Sequence, residues 1–210
     1  MNEPVLVEAL PGLCVAILRG SFPSPLRELP HLQPPTSAPE PDVDLRTTVR
    51  DVLRQRGYKP TGRGKPSSEY LAAALADGRW PCINAAVDAG NLVSLETGLP
   101  ISVVDFDLVH GELSIRTAAP ETRYVFNHGG QEIEVGGLIC LGDADGPCAN
   151  AVKDAQRTKT RPETTRVLAV LWGVDRGGPQ RVHEAAAQLT RHWQERGAEV
   201  LRVPLVHTED

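Results

Sequence analysis

Three small polar side chains near the middle of the sequence have the spacing of one helix face. Asn84, Asp88 and Asn91 are separated by four and three residues, so they lie one above another on an α-helix. Amide and carboxylate groups in such a row can bind polar groups of a small ligand or hold a water molecule. The row is therefore either a solvated helix face or the wall of a pocket.

A second group of polar residues follows about 50 residues further along the chain. Ser94 extends the first row, and Ser102 lies on the strand predicted after that helix. The second group comprises Asp143, Asn150, Lys153, Asp154, Gln156, Arg157 and Lys159. If both groups border one cleft, the cleft offers donors and acceptors but no strong base. Such a site suits recognition and the positioning of water better than covalent catalysis.

Several familiar kinds of site are missing from the sequence. It has no phosphate loop, no dinucleotide-binding glycine motif, no G-x-S-x-G elbow and no H-E-x-x-H motif. The six histidines fall in predicted turns or on solvent-facing helix positions. Asp143 and Asp145 fit a D-G turn better than a cation site, and Cys148 fits a buried structural thiol better than a nucleophile. We therefore predict neither a metal nor a cofactor.

The overall charge argues against a protein that grips nucleic acid across a broad surface. The chain of 210 residues has a formal net charge of −5, but 59–65 and 153–166 are locally basic. No run approaches the ~20 apolar residues that span a bilayer, and no basic segment precedes an apolar core at the start. The four cysteines lack close spacing, which predicts small core residues in a cytoplasmic protein without membrane contact.

The polar row must be carried by the elements of the central stretch, 81–107. Ile83, Val87 and Leu95 supply the apolar side of the predicted helix. Gly98 and Pro100 end it, because glycine takes the C-terminal turn and proline cannot continue a helix. A buried strand is predicted at 101–104, followed by a polar end at 105–107.

The remaining elements predict an α+β fold: a single domain with a mixed β-sheet core and flanking helices. One buried strand is predicted at 6–19, and a strand also at 200–206. Seven prolines within the Pro-rich segment, 21–41, predict a surface insertion or linker rather than a domain boundary. Helices are predicted at 44–56, with Asp44 as the cap, and at 179–196. A further helix is predicted to end at 76, with Ser67 or Ser68 as its cap. Further strands are predicted at 112–117, 124–126, 131–135, 138–141 and 167–172.

The central stretch, INAAVDAGNLVSLETGLPISVVDFD, resembles a segment of the tRNA-editing (B3/B4) domain in the beta subunit of phenylalanyl-tRNA synthetase. The matching positions are Val87, Asp88, Asn91, Val93, Glu96, Gly98, Pro100 and Asp105. The chain is even more similar to freestanding relatives of that domain, which share the KPSSE (65–69) and RTKT (157–160) stretches. The resemblance covers 46–172 best and implies the same mixed sheet with flanking helices over the single domain 1–210.

The resemblance also implies an activity, hydrolysis of the ester that joins a wrong amino acid to the 3′ end of a tRNA. It places the editing-site asparagine on Asn91, the editing-site histidine on Ser102, and the substrate-reading glutamate between 153 and 156, where the chain has Asp154. We predict these three as catalytic. Predicted substrate-binding residues are Asn84, Asp88, Ser94, Asp143, Asn150, Lys153 and Gln156. Predicted tRNA-binding residues are Lys59, Arg63, Lys65, Arg157 and Lys159.

Two hypotheses remain open at this point. The first is a freestanding aminoacyl-tRNA deacylase that acts in trans on the acceptor end of mischarged tRNA, with no obligate protein partner. The second is a catalytically inactive module that keeps the scaffold and binds an amino acid, a tRNA end or a small molecule. The negative net charge and the serine in place of the family histidine favour the second.

Overall fold

The computed structural model of the chain describes residues 3–175 and 179–208, so residues 1–2, 176–178 and 209–210 of the predicted domain lie outside the description. Within these ranges the helices are α1 (Val43–Arg54), α2 (Ser67–Ala76), α3 (Ala85–Thr97) and α4 (Gln180–Gln194). The strands are β1 (Val5–Val7), β2 (Leu13–Ser21), β3 (Ile101–Asp105), β4 (Ser114–Thr117), β5 (Arg123–Val125), β6 (Glu132–Glu134), β7 (Ile139–Asp143), β8 (Gly146–Asn150), β9 (Arg166–Val174), β10 (Glu199–Arg202) and β11 (Leu205–His207).

The strands form two larger sheets and one hairpin. The five-stranded sheet has the order β11-β1-β4-β7-β8, in which β1 is parallel to both neighbours and the other pairs are antiparallel. The four-stranded sheet has the order β10-β2-β9-β3 and is antiparallel throughout. Strands β5 and β6 pair separately as a hairpin. Mixed sheets with four helices in one domain confirm the predicted α+β fold.

The hydrophobic core includes the interior of the four-stranded sheet and the helices packed on it. Trp193 of α4 is fully buried, and its indole N–H donates to the backbone oxygen of Ala86 in α3 at 3.2 Å. The ring of Phe22 meets Trp193 edge-on, with 6.0 Å between ring centroids. These contacts fasten α4 and α3 to each other and to the segment after β2. They therefore fix the position of α3, which carries the polar row.

Helix α3 ends where the sequence predicts, but it begins after Asn84 rather than before Ile83. The side chain of Asn84 accepts from the backbone N–H of Val87 at 3.1 Å and caps the first turn. Gly98 takes a left-handed conformation with φ of 74° at the other end. Ile83 does not belong to the apolar side of the helix, because it precedes the cap and is 55% exposed. Its prediction as a packing residue is wrong.

The edges of the two larger sheets meet at β3 and β8. The hydroxyl of Ser102 on β3 donates to the backbone oxygen of Asn150 on β8 at 3.0 Å. An isolated antiparallel bridge also joins Val104 to Lys159. Lys159 lies in the segment between β8 and β9, so a side-chain contact, rather than a continuous ladder, joins the edges of the two sheets.

The Pro-rich segment lies between β2 and α1 and packs on the protein. Phe22, Leu26 and Leu32 are all less than 8% exposed. The backbone N–H of Leu26 donates to Thr164 at 2.9 Å. Buried anchors at three places hold the segment against the domain over this part of its length.

Several predicted boundaries differ from the structure. Asp42 caps α1 instead of Asp44, since its side chain accepts from the N–H of Leu45 at 2.9 Å. Neither Ser67 nor Ser68 caps α2, because the helix already begins at Ser67 and Pro66 precedes it. Cys82 is exposed rather than in the core.

Two predicted strands are each divided in the structure. The run 6–19 gives β1 and β2, because Gly12, with φ of 76°, turns the chain between the two larger sheets. The run 200–206 gives β10 and β11, separated at Pro204, which has no N–H for a ladder. Both divisions move the chain from one sheet to the other. Among the described residues, no helix is long and apolar enough to cross a membrane.

Candidate functional site

The loop that follows β8 is organised by one amide side chain. The oxygen of Asn150 accepts from the backbone N–H groups of Val152 at 2.8 Å and Lys153 at 3.0 Å. Its nitrogen donates to the hydroxyl of Tyr124. That hydroxyl in turn donates to the backbone oxygen of Lys153 at 2.5 Å. Asn150, predicted to bind substrate, therefore uses its amide to shape the loop 150–154.

This loop places Asp154 beside Ser102. The backbone N–H of Asn150 donates to the Asp154 carboxylate at 3.3 Å. Burial raises the pKa of Asp154 to about 6, and the nearby Ser102 hydroxyl and the Lys159 charge offset part of that effect. At neutral pH the group is largely ionised and close to its titration range. Two of the three residues predicted as catalytic thus come together at the junction of β3 and β8.

Ser102 itself is enclosed in the protein interior. It is 2% exposed, and its oxygen accepts from the indole N–H of Trp172 at 2.9 Å while donating to Asn150. A hydroxyl has one proton to donate, and Ser102 gives it to the backbone oxygen of Asn150. The proton is therefore used within the protein. The geometry gives Ser102 a supporting position under the loop 150–154.

A cleft of about 740 Å³ opens beside the same loop, between a basic turn and the β5–β6 hairpin. The basic turn comprises 58–64, and it contributes Lys59 and Arg63. Lys153 of the loop 150–154 and Phe126 also line the cleft, with the Lys153 ammonium 4.1 Å from the centre of the Phe126 ring. Three predicted binding residues are therefore brought together: Lys59, Arg63 and Lys153.

Positive charges converge at this cleft. Burial, together with the charges of Arg63 and Lys159, lowers the pKa of Lys153. Burial also lowers the pKa of Lys159, whose ammonium donates to the backbone oxygen of Phe126 at 2.6 Å. A cation whose pKa is lowered by neighbouring cations, as that of Lys153 is, is stabilised by an anion that binds beside it.

Gln156 lies next to the hairpin rather than in the cleft. Its Nε2 is 3.4 Å from Nε2 of His128, at the turn between β5 and β6. Its Oε1 is buried and lacks a hydrogen-bond partner within 3–175 and 179–208. The side chain thus keeps one free acceptor near the β5–β6 hairpin.

The beginning of the polar row is used for local structure. Asp88 is 2% exposed, and it accepts from the N–H of Ile83 and contacts His31 Nδ1, both at 2.7 Å. Asn84 caps α3 and donates to Thr160 at 2.9 Å. These two predicted substrate-binding groups secure the start of α3 to its neighbours.

The rest of the row divides between the interior and the surface. Ser94 is buried, and its hydroxyl donates to the backbone oxygen of Leu99 at 2.7 Å, where α3 ends. Asn91 is half-buried, and its amide has no hydrogen-bond partner in the described part of the chain. Asn91 is therefore the one member of the row with a free amide.

Arg157, one of the predicted tRNA-binding residues, is paired with a carboxylate inside the protein. Arg157 donates to both carboxylate oxygens of Asp143, at 2.7 and 2.9 Å, and to the backbone oxygen of Gly146 at 2.7 Å. Burial alone would raise the pKa of Asp143, but the hydrogen bonds from Arg157 and the backbone lower it. Asp143 and Arg157 thus fix the β7–β8 hairpin, away from the lining of the cleft. Lys65 is exposed and also lies outside that lining.

Sequence reasoning missed the contribution of the β5–β6 hairpin. Tyr124 organises the loop 150–154, and Phe126 contacts both Lys153 and Lys159. Glu132 and Glu134 of β6 line the cleft as well. The available signal was two glutamates on one face of a short alternating strand, with aromatic residues on its partner.

The fold and this junction define a class of protein: an α+β domain in which a basic cleft borders a buried carboxylate between two sheets. A family model described as the B3/4 domain matches residues 55–204. The chain belongs to the B3/4 domain family.

Individual relatives agree with this membership. The chain is 31% identical over 105 residues to a phenylalanine–tRNA ligase beta subunit from Moorella thermoacetica, covering 49% of this chain and 13% of the relative. It is 29% identical over 130 residues to the corresponding subunit from Symbiobacterium thermophilum, covering 61% of this chain and 14% of the relative. The chain thus spans about one seventh of these relatives.

A solved structure shows the same fold. It is an N-terminal fragment of the phenylalanyl-tRNA synthetase beta subunit from Pyrococcus horikoshii, with a TM-score of 0.53 and 14% sequence identity. The similarity covers 99% of this chain and 53% of that fragment. These matches confirm the resemblance to the B3/B4 domain.

Proposed function

We propose that this chain is a trans-acting deacylase that hydrolyses the ester of a mischarged aminoacyl-tRNA. The observation that carries the proposal is the position of the basic cleft, which shares the loop 150–154 with Asp154 in a member of the B3/4 family. Lys59, Arg63 and Lys153 would bind phosphates of the acceptor end. The partner is the tRNA acceptor end, and the proposal places the protein in the cytoplasm.

The proposed reaction needs little covalent chemistry from the protein. The oxygen of a water molecule bonds to the ester carbonyl carbon, and the bond from that carbon to the ribose oxygen breaks. The ribose oxygen receives a proton, and the products are the free amino acid and the tRNA. An aminoacyl ester is already activated, and the adjacent ribose hydroxyl can assist, so binding and orientation supply the required acceleration.

The candidate catalytic residues take different parts in this proposal. Asn91 is assigned to the reacting water because the resemblance places the editing-site asparagine there, and its half-buried amide has no protein partner in the described ranges. Asn91 lies outside the lining of the cleft. Ser102 and Asp154 are assigned to positioning, since both support the loop that carries Lys153. The proposed hydrolysis requires no strongly nucleophilic side chain.

The experiment incubates the purified protein with a panel of mischarged tRNAs and measures the ester that remains. Wild type is compared with Asn91→Ala, Arg63→Gln and, as a matched control, Arg46→Gln, which removes a charge from the exposed surface of α1. We expect wild type and Arg46→Gln to deacylate at least one tRNA, and the other two to be slower by tenfold or more. Ester loss at the uncatalysed rate across the whole panel would refute the proposal.

One observation favours the second candidate, a binding module without catalysis. The Ser102 hydroxyl is committed to Trp172 and Asn150, so it cannot replace the family histidine at a reacting centre without breaking a buried bond. A thermal-shift screen with free amino acids discriminates the two candidates. Stabilisation by an amino acid, together with intact esters on every tRNA, would support the binding module.

A further inference from the structure

The cleft beside the loop 150–154 is lined by charges of both signs on separate elements. Lys59 and Arg63 belong to the basic turn, whereas Glu132 and Glu134 belong to β6. Side chains two residues apart on a strand point to the same face, so the two glutamates lie on one face of β6. The cleft therefore has a basic side and an acidic side.

Both sides are held in place by backbone contacts. Within the basic turn, the N–H of Thr61 donates to Lys59, and the N–H of Gly64 donates to Thr61, both at 2.8 Å. On the other side, β6 is paired with β5, and the N–H of Phe126 donates to Gln131 at 2.9 Å. The charges are therefore presented by two ordered elements, which lowers the entropic cost of binding a ligand between them.

The opposite charges do not neutralise each other across the cleft. Within the described ranges, neither Lys59 nor Arg63 forms an ion pair with Glu132 or Glu134. Glu134 contacts Arg123 at 3.4 Å, but both side chains are more than half exposed, so this pair contributes little. Charges of opposite sign that line one cavity without touching leave room for a dipolar molecule.

The volume is suitable for such a ligand. About 740 Å³ lies inside the range of roughly 300 to 1,000 Å³ that is usual for small-molecule sites. Tyr58 and Phe126 add apolar surface to the cleft. A ligand that fits all of these features carries an anion at one end, an ammonium at the other and an apolar part between them.

We propose that Glu132 and Glu134 recognise the free α-ammonium group of an aminoacylated nucleotide whose phosphate is bound by Lys59, Arg63 and Lys153. The assignment of the ligand class rests on the proposed function, while the requirement for a dipolar ligand comes from the cleft itself. An N-acylated amino acid has no ammonium and presents an amide to the two carboxylates. The cleft therefore discriminates aminoacyl-tRNA from peptidyl-tRNA, in which the α-nitrogen is acylated.

The test uses two probes that cannot be hydrolysed as esters. One is 3′-phenylalanylamino-3′-deoxyadenosine 5′-monophosphate, and the other is its N-acetyl derivative. Isothermal titration calorimetry measures both affinities for wild type, for the Glu132→Gln/Glu134→Gln double variant and for Arg63→Gln. Glu199→Gln is the matched control, because Glu199 is exposed on β10, away from the cleft.

We expect wild type and Glu199→Gln to bind the free amine at least tenfold more tightly than the N-acetyl probe. The double variant should lose this preference, whereas Arg63→Gln should weaken both probes by similar factors. Equal affinities in wild type, a preference that survives in the double variant, or no binding of either probe would overturn the inference. Selective probe binding without ester hydrolysis on the tRNA panel would instead refute only the proposed deacylase activity.

Discussion

Trp172 donates its indole N–H to the hydroxyl of Ser102 across 2.9 Å in the protein interior. The same hydroxyl donates to Asn150, so one serine links β9, β3 and β8. Ser102 occupies the position of the editing-site histidine in the resemblance to the synthetase domain. In this chain that position connects the two larger sheets, and its side chain has no unused hydrogen-bonding proton.

The first prediction concerns this link. Ser102→Ala should lower the free energy of unfolding by about 1 to 3 kcal/mol. The indole N–H of Trp172 and the backbone oxygen of Asn150 would each lose a buried hydrogen-bond partner. Urea denaturation measures the change. The double variant Ser102→Ala/Trp172→Phe should cost less than the sum of the single variants, since the second change removes the unpaired N–H. Additive effects would contradict the proposed coupling.

The second prediction concerns pH and Asp154. The pKa of about 6 lies above the ordinary 3.8, so the folded state holds a proton that the unfolded chain releases, and stability falls as the pH rises from about 4 to 7. The difference between these pKa values corresponds to about 3 kcal/mol in full. Asp154→Asn should remove this loss and be more stable than wild type at pH 8 but similar near pH 4.

Urea denaturation at pH 4, 6 and 8 checks this dependence. Asp77→Asn is the control, because Asp77 is more than half exposed at the end of α2. A parallel pH dependence of stability in wild type and Asp154→Asn would show that Asp154 does not contribute the expected proton linkage.

The third prediction concerns a close approach of β9 to α4. A Cβ on Gly173 would lie 2.0 Å from a methyl carbon of Val182 and 2.8 Å from the backbone oxygen of Cys14. Gly173→Ala should therefore destabilise the protein by about 1 to 3 kcal/mol or more, as overpacking does. Gly129→Ala is the matched control, since its nearest neighbour would be at 3.5 Å. Equal melting temperatures for the two variants would argue against this packing.

The fourth prediction concerns the contact between the Pro-rich segment and α3. His31→Ala should increase the rate of cleavage of 21–41 by a broad-specificity protease severalfold, because it removes the contact with buried Asp88. His183→Ala, on the exposed side of α4, should leave the rate unchanged. Cleavage at the same rate in all three proteins would show that the buried leucines alone hold the segment.

The fifth prediction separates two arginines that the sequence treats alike. Arg63→Gln should weaken binding of an acceptor-stem RNA and reduce the slope of log affinity against log salt by about 1, since one phosphate contact is lost. Arg157→Gln should leave that slope unchanged and lower stability by about 2 kcal/mol, because it breaks a charged bond to buried Asp143. Filter binding across a salt series and urea denaturation measure the two effects. If both variants reduced the slope of log affinity against log salt equally, Arg157 would also contact the RNA.

The sequence was a good guide where local rules decide the structure. The turn at Gly98 follows from backbone freedom and is found where the sequence predicts it, whereas the capping role of Asn84 was not predicted. It was a poor guide to which polar residues share a site. Helical spacing placed Asp88 and Asn91 in one row, but the burial of Asp88 under His31 depends on a segment more than 50 residues away.

The cleft could not be predicted for a similar reason. Arg63 and Glu132 lie on elements separated by about 70 residues, and no periodicity links them. Near both elements, Gly137 passes close to Arg56, where an added Cβ would lie 2.3 Å from the backbone oxygen. A contact of this kind depends on the packing of the whole domain rather than on a local pattern.

The division of 199–207 between the two sheets constrains how the protein is made. β10 pairs with β2 in one sheet, and β11 pairs with β1 in the other. Until these residues leave the ribosome, β1 and β2 each keep one open edge, which is a site for aggregation. Neither sheet of the described fold can be completed before residue 199 is synthesised, so both sheets acquire an edge strand within the same nine residues, 199–207.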